Sequence, residues 1–302
     1  MQQDVAGSRF TSLITEGELD ALDIRHPDFH ATVFLQGAHL TRFCPTGEEN
    51  WLWMSDEVRL EKGRAIRGGI PVCWPWFGDP VRNESPVRDR VATDLPHGFA
   101  RTSPWALQAI EETDRTVTLN LKLDTSPEPA TLPWRGQAEA TIGFRFSRST
   151  LSIDLATRNT GADPLAISQA LHTYLPTTEI QRSRILGLEH CDYLDTLDDW
   201  RKIMQRGDVT FAGETDRIYL AAPDLDILTP THRYHLTARG SGSTVVWNPG
   251  PEKAARLSAF PDNAWRTMLC VETANAATDY RSLDSGQTRS LGLTLTRTDG
   301  GQ

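Results

Sequence analysis

The chain has 302 residues, 38% of them hydrophobic and 24% charged, long enough to bury a sizeable core. Its formal net charge is −9 and its isoelectric point about 5.4, the wrong sign for a nucleic-acid or anionic-membrane binder. Two domains would fit this length, but large β folds run as long, so one domain over 1–302 is expected.

The opening MQQDVAGSRF shows no basic segment followed by an apolar run, so no signal peptide is expected. HATVFLQGAHL, from His30, reads as strand. SDEVRLEKG (55–63) starts with a capping serine and ends in glycine, which predicts a short helix. RGGIPVCWPWFG (67–78) follows, too rich in glycine and proline for a regular element. It sets aromatic rings beside one positive charge, Arg67. The polar stretch from Arg82 to Pro96 predicts a long excursion of a functional kind. It closes on DLPHGFAR, which carries His97 and Arg101 around Gly98.

Period-two alternation then takes over. RTVTLNLKL puts Val117, Leu119, Leu121 and Leu123 on one face. EATIGFRF, TLSIDLAT and, near the C-terminus, SLGLTLTR repeat the pattern. GSTVVWNPG predicts a further strand, and PEKAARLSAF (251–260) a short helix begun by its proline. With many strands and no strand–helix alternation, the expected class is all-β, a large antiparallel sandwich with a few short helices. Cys44, Cys73, Cys191 and Cys270 are scattered, with no zinc or redox spacing. They read as free thiols in a reducing, cytoplasmic protein.

Two strand ends carry candidate chemistry. In AISQALHTYLP, a strand puts Ala166, Ser168, Ala170 and His172 on one face, so His172 heads a row of small side chains. It faces a ligand in a concavity, or it is a core histidine with one backbone partner. In RTMLCVETAN, Met268, Cys270 and Glu272 share a face. A carboxylate ending an apolar strand is either exposed or held in a site. The spacing of one hundred residues does not by itself bring the two together. Arg67 and Arg101 have glycine and aromatic neighbours rather than acidic ones. That suits phosphate or carboxylate recognition, or an arginine bonding loop carbonyls.

RGGIP followed by WPWFG, then HGFAR, LHTYL, YLDTLD and WNPG…FPDNAWRTMLCVETAN come in that order. On these motifs, from about Gly37 to the last strand, the chain resembles the glucose-6-phosphate 1-epimerase family. That family is a branch of the galactose-mutarotase-like β-supersandwich fold. The resemblance implies interconversion of the anomers of a hexose 6-phosphate, with no metal or organic cofactor. It implies His172 as general acid and Glu272 as general base. It implies Arg67 and Arg101 as phosphate-binding, Asp195 as a contact to sugar hydroxyls, and His97 in the pocket wall. Pro96 departs from the family, where a substrate-contacting glutamine can stand. An ionised Glu272 beside a protonated His172 is the expected resting state. Trp76 is taken as an aromatic platform for the sugar, with core packing open to both Trp74 and Trp76. The expected partner is a small phosphosugar, bound by a monomer without nucleic acid or membrane. The alternatives are an epimerase of unphosphorylated aldoses and a non-catalytic sugar-binding sandwich.

Overall fold

The computed structural model describes residues 5–123 and 133–299. Alternation in sequence becomes alternation in burial. In the strand Thr116–Leu123, Val117, Leu119, Leu121 and Leu123 are buried and the residues between them are partly exposed. Ala138–Ser147, Thr150–Asn159 and Thr288–Asp299 behave alike and pair antiparallel. They form the middle of a nine-stranded sheet. Each large apolar side chain buried there contributes about 1.5–3 kcal/mol.

An eight-stranded sheet packs against it. Its order is Arg201–Met204, Asp192–Asp195, Thr215–Tyr219, Ser243–Asn248, Met268–Asn275, Gln169–Leu171 and Val72–Cys73. Tyr174–Pro176 also pairs with Met268–Asn275. A four-stranded meander from Thr11–Glu16 to His39–Pro45 and the ladder Leu165–Ile167 with Arg281–Leu283 complete the sheets. The class is the expected all-β antiparallel sandwich.

The two faces of the eight-stranded sheet differ. Leu171, Leu269 and Val271 join Ile153, Leu291 and Leu293 of the larger sheet in the main core. The opposite face carries a separate cluster of mostly small residues, among them Cys73, Ala170, Val245 and Ala274. Small side chains leave that face shallow, and a cavity opens on it.

Two α-helices occur among the described residues, Ser85–Arg88 and Gly250–Ala254. The first lies in the polar excursion, and the second is shorter than PEKAARLSAF suggested. The helix expected over 55–63 does not form. Its backbone groups are taken by other segments: Leu60 O accepts from Glu18 N–H at 2.8 Å, and Gly63 N–H donates to Gln36 Oε1 at 2.8 Å. Of this segment, Arg59 lines the cavity. No helix among the described residues is long and apolar enough to cross a membrane.

Candidate functional site

The edge strand Val72–Cys73 pairs with Gln169–Leu171, and this ties RGGIP to the histidine segment. His172 N–H donates to Pro71 O and Tyr174 N–H to Gly69 O, each at 3.0 Å. Arg67 is thereby fixed near His172. Gly69 is required here. Its φ is +63°, and a Cβ would overlap the Leu40 carbonyl. Beneath it, the buried His39 donates from Nε2 to Gly68 O at 2.7 Å, and burial lowers its pKa to about 4.

HGFAR is anchored to WPWF in the same way. Phe99 N–H and Ala100 N–H both donate to Trp74 O. Gly98, at φ +68°, lies so close that a Cβ would overlap that carbonyl. His97 has φ +66° and is pinned by Gly78, donating to Gly78 O at 3.0 Å and accepting Gly78 N–H on Nδ1 at 3.3 Å. With Nδ1 an acceptor, the neutral ring carries its proton on Nε2. Burial, then the charges of Arg101 and His172, holds the His97 pKa well below its ordinary value.

Glu272 reaches His172 through strand register. Met268–Asn275 pairs Leu171 with Thr273 and Tyr174 with Cys270. Between those rungs, His172 Nε2 lies 3.3 Å from Glu272 Oε1. His172 is 9% exposed and Glu272 1%. Oε2 of Glu272 and Nδ1 of His172 are buried without a hydrogen-bond partner. Burial, reinforced by Asp216, pushes the Glu272 carboxyl well above its ordinary range. Burial, reinforced by Arg101 and Arg67, lowers His172 to about 3. The expected resting ion pair is therefore not what this environment favours. An unpartnered buried carboxylate oxygen is costly to charge, and two nearby cations oppose a third. Both directions favour an uncharged pair, with the proton on Glu272.

The pair sits in a cavity of about 770 Å³. Tyr174 stacks on His172 at 4.8 Å, and Trp247 meets both rings edge-on at 6.0 and 6.2 Å. Five cations line the space, Arg59, Arg64, Arg67, Arg101 and Lys253, against the carboxylates Asp216 and Glu272. Lys253 is engaged by Glu214 at 3.0 Å and Asp216 at 3.6 Å. Arg67 meets Ser258 O at 3.5 Å and the Tyr174 hydroxyl, Arg101 meets Pro96 O at 2.9 Å, and neither has a carboxylate partner among the described residues. Pro96 thus orients Arg101 through its backbone.

The structure brings His172, Glu272, Arg67, Arg101 and His97 together. It does not bring in Trp76 or Asp195. Trp76 is fully buried, packs edge-on to Phe99 and donates from Nε1 to Leu95 O at 2.9 Å, so its ring belongs to the core. Asp195 pairs with Arg217, whose guanidinium lies over the Tyr193 ring, and Oδ1 accepts from Leu197 N–H. That face is opposite the one shared by Asp216 and Ile218, because neighbours along a strand alternate. Asp216, not Asp195, is the acidic residue that joins Glu272 in the cavity, and burial raises its pKa although Lys253 offsets part of the effect. Asp216 and Lys253 were not singled out in the sequence, and Tyr174 and Trp247, though inside LHTYL and WNPG, were given no site role. The one signal was an acidic residue two positions before Ile218 in TDRIY, the same alternation that exposed Glu272.

The family model for aldose 1-epimerase matches residues 20–296. A relative from Escherichia coli (strain K12), named "putative glucose-6-phosphate 1-epimerase", is 34% identical over 270 residues, 86% of this chain and 84% of its own. One of the same name from Salmonella typhimurium is 31% identical, over 93% of this chain and 92% of its own. The crystal structure of a "putative mutarotase (YeaD)" from Salmonella typhimurium superposes with a TM-score of 0.85 at 30% identity, covering 97% of this chain and 95% of that one. Galactose 1-epimerase from Lactobacillus acidophilus, at 12% identity and a TM-score of 0.69 over 97% of this chain and 100% of that one, shares the fold.

Proposed function

The chain belongs to the aldose 1-epimerase family, and from there we propose that it interconverts the α and β anomers of a hexose 6-phosphate. The observation that carries this reading is the co-location of a buried His172–Glu272 contact with two arginines that lack acidic partners.

Ring opening needs a base at the C1 hydroxyl and an acid at the ring oxygen. Glu272, once ionised, removes the hydroxyl proton while His172, once protonated, gives its own to the ring oxygen. The C1–O5 bond breaks, and an aldehyde forms at C1. Rotation about C1–C2 presents the other carbonyl face, and the two residues reverse roles to close the ring. Such groups typically supply about 10²–10⁴-fold each. His97 offers an Nε2–H donor to a sugar oxygen, and Asp216 an acceptor for hydroxyls. Trp247 and Tyr174 give the apolar ring face a rigid wall. Arg67 and Arg101 hold the phosphate. The free thiols of all four cysteines support a cytoplasmic location.

Anomer exchange on glucose 6-phosphate and on glucose, followed by NMR exchange spectroscopy, tests the substrate class. A charge-assisted hydrogen bond is worth about 1.5–3 kcal/mol. Arg67→Ala and Arg101→Ala should each lower kcat/KM for glucose 6-phosphate by roughly 10- to 150-fold. The effect on glucose should be much smaller. Equal losses on both sugars would overturn the phosphosugar reading and favour an epimerase of unphosphorylated aldoses.

A further inference from the structure

The cationic cluster and the acid–base pair are parts of one cavity, and side chains connect them. The Arg67 guanidinium approaches the Tyr174 hydroxyl, and the Tyr174 ring stacks on His172 at an interplanar angle of 10°. On the other side, the His97 ring meets His172 edge-on at 5.9 Å, and the same loop carries Arg101. The groups facing His172 are thus Glu272 from its strand, Trp247 with Lys253 and its partner Asp216 beyond it, Arg67 and Arg101 from the two loops, and the uncharged His97 and Tyr174. His39 lies deeper, under Gly69.

This arrangement poses a difficulty for the chemistry. The reaction needs a positive His172 and a negative Glu272. The cavity places two arginines without acidic partners beside the histidine and a second carboxylate, Asp216, beside the glutamate. Both oppose the charges required, and burial opposes them further. A dianion gripped by Arg67 and Arg101 would cancel the two cations. The proton of the pair would then move. The O–H bond at Glu272 breaks, the N–H bond at His172 Nε2 forms, and no proton enters or leaves.

We propose, building on the phosphosugar reading above, that the arginine cluster is a separable oxyanion site whose occupant switches on the acid–base pair. An inorganic dianion bound there in trans then turns an unphosphorylated aldose into a substrate. The phosphate of the natural substrate does more than anchor: it sets the protonation state that the chemistry uses.

Sulfate is the suitable probe, being dianionic and a negligible base near neutral pH, so it adds little buffer catalysis. Anomer exchange of glucose is measured at constant ionic strength as sulfate replaces chloride, with the uncatalysed rate subtracted. A saturable rise in kcat/KM of about tenfold or more is expected, since each pKa unit regained at His172 makes its acid form about ten times more populated. The rise should vanish in Arg67→Ala and Arg101→Ala. On glucose 6-phosphate these variants should raise KM without lowering kcat, and without sulfate they should exchange glucose faster than the parent, because each removes a cation that opposes a charged His172; loss of a plain anchor would leave glucose exchange unchanged. Sulfate that competes with glucose 6-phosphate yet leaves glucose exchange unchanged would overturn the switch while leaving the phosphosugar reading intact. A wild-type enzyme with no preference for glucose 6-phosphate, and no competition by sulfate, would overturn that reading itself.

Discussion

Asp23 and His30 meet across the four-stranded sheet at 2.6 Å, and Glu272 and His172 meet on the eight-stranded sheet at 3.3 Å. Both carboxylates are buried, at 3% and 1% exposure. Their acidities move in opposite directions. Burial pushes Asp23 upward, but hydrogen bonds and charges from His30 and Arg25 outweigh it and hold Asp23 below its ordinary value. Arg25 Nε donates to its second oxygen at 2.7 Å, and Thr32 to the first at 3.4 Å. Glu272 has no such company, and its Oε2 is unpartnered. Burial alone therefore does not separate a structural pair from a reactive one. The number of donors on the carboxylate does. A saturated carboxylate is a fixed charge, and a starved one keeps its proton and can trade it.

The largest expected effects cross over between the two sites. Glu272→Gln and His172→Asn should each lower kcat by at least about 10²-fold. Glu272→Gln should leave the melting temperature at or above that of the parent, because it removes a carboxyl that is costly to ionise. Asp23→Asn should do the reverse, keeping full turnover while losing about 1.5–3 kcal/mol of stability. Melting curves and exchange kinetics on the three variants decide this. Wild-type turnover in either cavity variant, or unchanged stability in Asp23→Asn, would erase the contrast.

Acid titration sharpens it. Asp23 titrates below its ordinary value of 3.8 in the folded chain, so the unfolded chain binds more protons there. Its contribution to stability is full above about pH 4 and is lost as the pH falls through the folded value. Urea midpoints measured below pH 4 should drop less steeply in Asp23→Asn than in the parent. For Glu272 the sign is opposite. The folded carboxyl keeps its proton above 4.5, so its contribution falls as the pH rises past that value.

The smallest effect concerns Trp76. Trp76→Phe removes the bond to Leu95 O and part of a buried ring, and should cost about 1 kcal/mol or somewhat more in stability. KM should not change. A raised KM at unchanged stability would return Trp76 to the sugar wall.

The strands were legible because one face of each is buried, which writes a period of two into the sequence. His172 and Glu272 stood out for the same reason, as polar residues at positions where that period continues. Their contact was not legible, since it depends on Met268–Asn275 pairing with the segments on both sides of His172. Asp195 was expected on the YLDTLD motif alone, and a motif match does not say which face of the strand its carboxylate takes; the register with Arg217 turns it away from the cavity that Asp216 enters. Residues 55–63 carry a local helix pattern, but tertiary hydrogen bonds to Glu18 and Gln36 override it. Trp76 could not be placed, because a buried tryptophan and a sugar-facing one look alike in sequence.

The contrast between the two carboxylates can be observed directly by following their titration. In protein labelled with ¹³C at its carboxyl carbons, Glu272→Gln and Asp23→Asn assign the two resonances. In the ligand-free enzyme, Glu272 should titrate well above 4.5 while Asp23 titrates below 3.8. A Glu272 resonance that titrates in the ordinary carboxylate range would mean that the pair is charged without any ligand. The distinction drawn between the reactive site and the structural one would then fail.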